Sequence, residues 1–433
     1  MASAYAPVHS STLTAWSDNV PGQLRLRQVI ISILAVLVAL AGFFTWQSFA
    51  QIVQTIGKDS VPSIVAAEKI RTTLANAHTQ ITNVFLVDAK GAVTAIQAYD
   101  KSMASAHDYL VEASQNITYG DDERRPILKI LNKLSQYERL VGNALTTHSY
   151  SDALGKADML MRDGILPAAA ALDRANFQHL DAAFGEGRHK ARLWLYGFLT
   201  GAALLAALLV QTQIKLRLIF RRVLSLPLAI GLAALVVSML LFFAKSQAVL
   251  SDISSAKEDA FDSVHVLSQA QALAYTANAQ ESVFLILHGR ADQSDQTALF
   301  QGVARQLLSL KFTDVNQLPT DLKTLKGGGL LADELANITY DGEEALARAT
   351  LKGWLQYVRI DEQIRELEAT GHHDEAVALC LGTKPNQSNW VSCPLSLSGF
   401  AVLFQPRFSR DSLHRLPSAE QVSEFSNAKL PAF

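Results

Sequence analysis

Three apolar runs interrupt an otherwise amphipathic chain: Val29–Ala50, Leu193–Val210 and Leu224–Ala244. None contains Asp, Glu, Lys or Arg. Each approaches the ~20 residues needed to cross the hydrocarbon core of a bilayer, and all are too apolar for the core helices of a soluble protein. They predict transmembrane helices. The first starts too far into the chain, and lacks the small-residue cleavage site, to be a typical signal peptide. Between the runs the pattern becomes helical. Ala67, Ile70, Leu74, Ala77, Ile81 and Val84 recur at intervals of three and four and draw a bundle-type seam along one helix face. Ile127, Ile130, Leu134, Tyr137, Val141 and Leu145 repeat it. Asp121, Asp122 and Glu123 precede Pro126, acids placed where a helix N-terminus favours them. With a helix through Ala92–Glu112, and another from Ala168 through Phe184 into the second apolar run, the segment predicts an up-down four-helix bundle.

The chain also repeats itself. Leu74-Ala75, followed ten residues on by Val84-Phe85-Leu86, is matched by Leu273-Ala274 and Val283-Phe284-Leu285. Asn116-Ile117-Thr118-Tyr119 is matched identically by Asn337-Ile338-Thr339-Tyr340, and acids follow both. Gln136-Tyr137 with Arg139 is matched by Gln356-Tyr357 with Arg359. Order and spacing are kept apart from extra residues near Leu310–Leu331, where Pro319 and Gly327-Gly328-Gly329 read as a loop insertion. The duplicated unit is therefore a span followed by a bundle. The seams are not equivalent, because Ile70 and Ile81 align with Gln269 and Gln280. Either the second helix is rotated so that the glutamines reach solvent, or they form a polar slot for a ligand or partner.

Charge supplies the orientation. Lys215, Arg217, Arg221 and Arg222 stand between the second and third runs without an acid, and Arg25 and Arg27 precede the first run. The positive-inside rule puts both segments in the cytosol. The expected organisation is a cytosolic tail (1–28), transmembrane helices (29–50, 193–210 and 224–244), an exported four-helix bundle (51–192), a basic cytosolic loop (211–223), a second exported bundle (245–390) and an irregular tail (391–433). The fold class is an all-α membrane protein, with two tandem extracytoplasmic up-down helical bundles on transmembrane helices, the second expected to be incomplete. The multi-pass chain is expected in the bacterial plasma membrane with its N-terminus cytosolic. A net charge of −2 without a basic stripe outside the loop argues against nucleic acid. The partner certain from the pattern is the lipid bilayer. The two cysteines, Cys380 and Cys393, are placed outside, where a local disulfide clip is permitted.

Candidate chemistry is sparse. The duplicated Asn-Ile-Thr-Tyr reads as an interhelix turn in which a threonine or asparagine oxygen caps the following helix. The alternative is partner docking at the exported, membrane-distal tips through Asn116, Thr118, Tyr119, Asn337, Thr339 and Tyr340. His372-His373-Asp374 follows a glycine and reads as a solvated turn, since adjacent helical histidines point different ways and no further histidine or cysteine except Cys380 stands at ligand spacing. Gly327-Gly328-Gly329 lacks the Gly-Lys-Ser/Thr of a phosphate loop, and no hydrolase, zinc-protease or kinase signature occurs. No enzyme activity, cofactor or metal is expected.

The paired exported bundles resemble the ligand-sensing modules of bacterial chemoreceptors and sensor kinases, and the layout across about Val29 to Trp390, with its duplicated Asn-Ile-Thr-Tyr blocks, resembles the actinobacterial GlnX family. That resemblance implies a transmembrane transducer responding to an amino acid such as glutamate, glutamine or aspartate. It further implies an extracytoplasmic solute-binding lipoprotein outside and a soluble serine/threonine kinase of the PknG type inside. Separately from the resemblance, the basic cytosolic loop makes Lys215, Arg217, Arg221 and Arg222 the candidate docking site for such a cytosolic partner. A homodimer is a further expectation. The alternative is an envelope scaffold that binds without switching. The family pattern expects a final span, whereas Val391–Phe433 carries Pro394, Pro406, Pro417 and Pro431 and no sustained helical period. This tail is expected to come from a frameshift or a truncated gene, or to be a divergent native end that folds back loosely.

Overall fold

The computed structural model describes residues 20–55, 60–147, 152–220, 225–255, 257, 261–338 and 343–382. Every regular element among them is helical: α1 (Val20–Gln54), α2 (Val61–Asn83), α3 (Ala89–Gln115), α4 (Asp121–Thr147), α5 (Asp152–Leu160), α6 (Leu166–Phe220), α7 (Leu226–Ser254), α8 (Asp262–Ile286), α9 (Gln293–Leu307), α10 (Leu330–Ala336), α11 (Glu343–Ala369) and α12 (His373–Cys380). Helices α1, α6 and α7 contain segments long and apolar enough to cross a membrane. Their outward side chains are large and apolar: Ile33, Phe43, Leu193, Tyr196, Leu240 and Leu241 are each more than half exposed. Such a surface suits lipid and would be untenable in water. The chain is an all-α membrane protein. Cys393 and the tail Val391–Phe433, for which a disulfide clip and an irregular end were expected, lie outside the described residues.

The chain divides into two units. One holds the apolar helices, comprising residues through Pro62 and Asn176–Ala256. Here helices meet at small residues, the usual way for apolar helices to approach closely. A Cβ on Gly201 would stand 3.0 Å from Val38 Cγ2, and one on Gly187 would stand 2.5 Å from Ile52 Cγ1. Around these contacts Phe49, Ile52, Phe184, Ala191, Leu250 and Ile253 form one buried cluster, and Val38, Ala41, Phe198 and Ala202 another.

The other unit, Ser63–Ala175 with Lys257 onward, holds both bundles. In the first, the α2 stripe Ala67, Ile70, Leu74, Ala77 and Ile81 is fully buried against Ile127, Ile130, Leu134, Tyr137 and Val141 of α4. The closing helix is not a plain α-helix: a π turn, Met161–Ile165, joins α5 to α6. In the second bundle Ala270, Leu273, Ala274 and Ala277 of α8 pack with Phe300, Leu331, Leu351 and Trp354. The inserted residues interrupt the second helix rather than lengthening a turn. Where α3 runs from Ala89 to Gln115, its counterpart is split into α9 and the short α10, with 3₁₀ turns at Val315–Gln317 and Leu322–Leu325 between them. Gly329 makes the return possible: its φ is +101°, and a Cβ there would meet the Leu307 carbonyl oxygen at 2.8 Å.

Candidate functional site: a buried polar seam between the bundles

Helix α2 is buried on two faces. Opposite its apolar stripe lie Glu68, Ala75, Thr79 and Thr82, all buried. These small and polar side chains leave room for another backbone, and α8 fills it with His265, Ala272, Ala279 and Ser282. The helices approach closely enough for Thr79 Oγ1 to donate to the Tyr275 carbonyl at 2.8 Å. Ser282 Oγ donates to Asn83 Oδ1 at 2.6 Å. Asn83 and Ser282 directly precede Val84-Phe85-Leu86 and Val283-Phe284-Leu285, so corresponding positions of the two repeats touch.

Two charged clusters lie along this seam. In one, Asp158 of α5, 3 % exposed, takes a hydrogen bond from His78 Nε2 at 3.0 Å, one from Gln280 Nε2 at 3.2 Å, and an ion pair from Arg162 at 2.9 Å. With the His78 proton on Nε2, its Nδ1 accepts from the Tyr137 hydroxyl at 3.1 Å. Burial alone pushes the Asp158 carboxyl up, but the His78 hydrogen bond, the electrostatic attraction of His78 and Arg162, and the Gln280 hydrogen bond outweigh it and leave its pKa lowered. In the other cluster, His265 Nδ1 lies 2.7 Å from Glu68 Oε1 and 3.5 Å from Asp173 Oδ1, while Gln269 Nε2 donates to Asp173 Oδ2 at 3.3 Å. Burial raises the pKa of both Glu68 and Asp173. Burial pushes His265 down, but its hydrogen bond to Glu68 and the charges of Asp173 and Glu68 more than compensate, and its pKa is raised.

One continuous helical run serves both clusters: Asp158 lies on α5, Asp173 on α6, and the π turn Met161–Ile165 joins the two helices. Beyond Asp173, α6 continues without a break to Phe220 and includes the apolar segment.

Inside the second bundle lies a further buried acid. Glu281 accepts from the Cys380 thiol, with Sγ 3.3 Å from Oε1, and the Tyr357 hydroxyl is close enough to pull on its carboxyl. Burial, then the nearby Asp361, push its pKa up to about 8, against the pull of Cys380, Tyr357 and Arg365. Arg365 pairs with Asp361 at 2.7 Å and lies 4.4 Å from the centre of the Phe284 ring.

The residues singled out in the sequence fall differently. Gln280 is 1 % exposed and Gln269 is half-buried. Helix α8 is indeed turned so that neither glutamine faces its own bundle, but they meet Asp158 and Asp173 of the first bundle rather than solvent. Asn116 caps α3 and its Nδ2 donates to Ser63 Oγ at 3.0 Å; Asn337 caps α10 and donates to Ser263 Oγ at 3.2 Å. Both turns therefore stand at the ends of the bundles where α2 and α8 begin, not at the far tips, because the helices they terminate run back towards those starts. The cap is also reversed from the expected one: the Glu123 carboxylate accepts the Thr118 and Tyr119 amides, each at 2.6 Å. Lys215 and Arg217 are exposed on the last turns of α6. Thr339, Tyr340, Arg221 and Arg222 lie outside the described residues. Sequence reasoning missed His78, Asp158, Glu68, Asp173 and His265. The available signal was the second, polar stripe of α2.

Helical bundles continuous with apolar helices long enough to cross a bilayer make this an all-α membrane protein. Residues 52–185 match the family model of the actinobacterial sensor domain, which spans the first bundle. No curated protein and no solved structure matches the chain.

Proposed function

We propose that the chain is a transmembrane signal transducer whose two bundles act as an internal pair, with the polar seam as the element that switches. The observation that carries the reading is Asp173: it takes part in the seam and lies on α6, the helix that runs on into an apolar segment. A shift in seam packing is then a shift of α6 itself. Buried polar networks suit this use, because a partly satisfied network has a large stake in its geometry. Asp173 Oδ1 and Gln280 Oε1 accept no hydrogen bond among the described residues. A coupling of roughly 1–3 kcal/mol between sites would be enough for a useful response.

The pairing Asn83–Ser282 and the matched contacts Asn116–Ser63 and Asn337–Ser263 support duplication of one sensor unit. Contacts between corresponding positions are what a two-fold interface produces. On this reading the second copy supplies within the chain the partner that a dimeric receptor recruits from a second molecule. The bundles face the outside and the basic segment around Lys215, Arg217, Arg221 and Arg222 faces the cytosol, in line with the positive-inside rule. An amino acid such as glutamate, glutamine or aspartate, free or on a solute-binding lipoprotein, is the stimulus, and a serine/threonine kinase is the cytosolic recipient. No catalytic step is assigned to this chain.

The test is amide hydrogen exchange of the full chain in lipid nanodiscs, with and without each amino acid and a purified binding protein. The expected result is a ligand-dependent change of protection along α2, α8 and α6 together. Protection unchanged by every ligand would support a scaffold that binds without switching and would remove the transducer reading. In cells, the triple variant Arg217→Glu, Arg221→Glu, Arg222→Glu is expected to uncouple the kinase while topology is retained; unaltered signalling would exclude the loop as its docking site.

A further inference from the structure

The second bundle brings together three side chains that the seam does not use. His288 follows the end of α8, Glu368 is in the last turn of α11, and His373 opens α12. Two tight turns converge them, at Gly289 (φ +70°) and Gly371 (φ +80°). The Glu368 carboxylate is 4 % exposed, with His373 Nδ1 2.9 Å from Oε2 and His288 Nδ1 hydrogen-bonded to Oε1. Gln293 Nε2 donates to the same Oε1 at 3.1 Å. The two imidazole rings are 4.2 Å apart at their centres.

We propose that His288, Glu368 and His373 form a binding site for a divalent transition-metal ion of the zinc type. One ligand atom from each lies within 4.8 Å of the others. Bonds of ~2.0–2.2 Å to a tetrahedral ion require donor atoms about 3.3 Å apart, so small side-chain rotations close the site. Two imidazole nitrogens and one carboxylate oxygen select zinc and its neighbours over magnesium and calcium, which favour all-oxygen shells. Gln293 holds the carboxylate in place, the role of an outer-sphere partner in a metal site. His288 is about half exposed, leaving an entry path and a fourth position for water or an incoming donor. The residues next to His373 in the sequence offer no second imidazole that points the same way. His372 does turn away, to Thr370, and the missing ligand comes from 85 residues upstream, a juxtaposition that only the fold makes. Because the three residues close the ends of α8, α11 and α12 upon one another, the ion would clamp one end of the second bundle, independently of any stimulus at the seam.

The experiment is calorimetric titration of the metal-stripped, tag-free full chain in detergent with zinc chloride, followed by visible absorption with cobalt(II) as a spectroscopic substitute. The expected result is one ion per chain and tetrahedral cobalt bands. His288→Ala and His373→Ala should each weaken binding by more than the ~10–100-fold typical of losing an outer-sphere partner. His288→Ala, at a half-exposed position, should keep the unliganded melting temperature, which separates loss of a ligand from loss of the fold. Absence of saturable zinc binding in the wild type, or equal zinc affinity in the His288→Ala, His373→Ala double variant, would overturn the site and leave a histidine–carboxylate hydrogen-bond cluster.

Discussion

Glu281→Gln is expected to raise stability, and by an amount that grows with pH. Glu281 is 2 % exposed and its pKa is raised from 4.5 to about 8, chiefly by burial and next by the nearby Asp361. An acid whose folded pKa exceeds its unfolded one destabilises the fold wherever the unfolded chain is ionised and the folded chain is not. The cost starts near pH 4.5, grows as pH rises, and levels off above pH 8. At ~1.36 kcal/mol per pKa unit, the ceiling is roughly 5 kcal/mol, of which about 3 kcal/mol accrues between pH 5 and pH 8. Glutamine is nearly the same size, its amide oxygen can still accept from Cys380, and it has no proton to lose. The assay is thermal unfolding of the purified full chain, wild type and variant, at half-unit steps from pH 5 to pH 8. The melting-temperature difference should widen with pH by on the order of 6–12 °C. Taking the difference cancels groups common to both proteins, including Glu68, Asp173 and His265. A pH-independent difference would show that Glu281 does not hold a proton in the folded state, and would refute the reasoning.

Asp158→Ala should cost about 3–5 kcal/mol, since it leaves His78, Arg162 and Gln280 around a buried vacancy of charge. Because the Asp158 pKa is lowered, that stabilisation should be full at neutral pH and fade only below about pH 3.8. A double-mutant cycle with Gln280→Ala should give a coupling of roughly 0.5–3 kcal/mol, and none if the bundles do not share the seam. Asn116→Ala and Asn337→Ala should each cost about 1 kcal/mol in chemical denaturation, and clearly unequal losses would argue against equivalent turns. Gly187→Leu should destabilise by roughly 1–3 kcal/mol through collision with Ile52, whereas Gly185→Leu, with open space around it, should be tolerated. Comparable losses for the two variants, measured by thermal unfolding in detergent, would remove that contact from the packing of α1 on α6.

The spans and the first bundle were legible in the chain because both rest on local periodicity. An apolar run of sufficient length has one inexpensive environment, and Ile70, Leu74, Ile81, Ile130 and Leu134 return at the spacing of a single helix face whatever packs against it. The matched Asn-Ile-Thr-Tyr blocks could likewise be found by inspection, although not the end of the bundle to which they belong. That depends on which way α3 and α10 run back beside α2 and α8. The seam was beyond reach for a related reason. Glu68, His78, Asp158, Asp173, His265 and Gln280 are scattered over more than two hundred residues, and each by itself is an ordinary polar residue on a helix. Periodicity specifies one buried face per helix, but it does not name the partner of a second face. Only when α8 is laid along α2 do these charges find each other. Their burial is tolerable only together, because a buried charge needs its partner in place, and that partner comes from the tertiary structure.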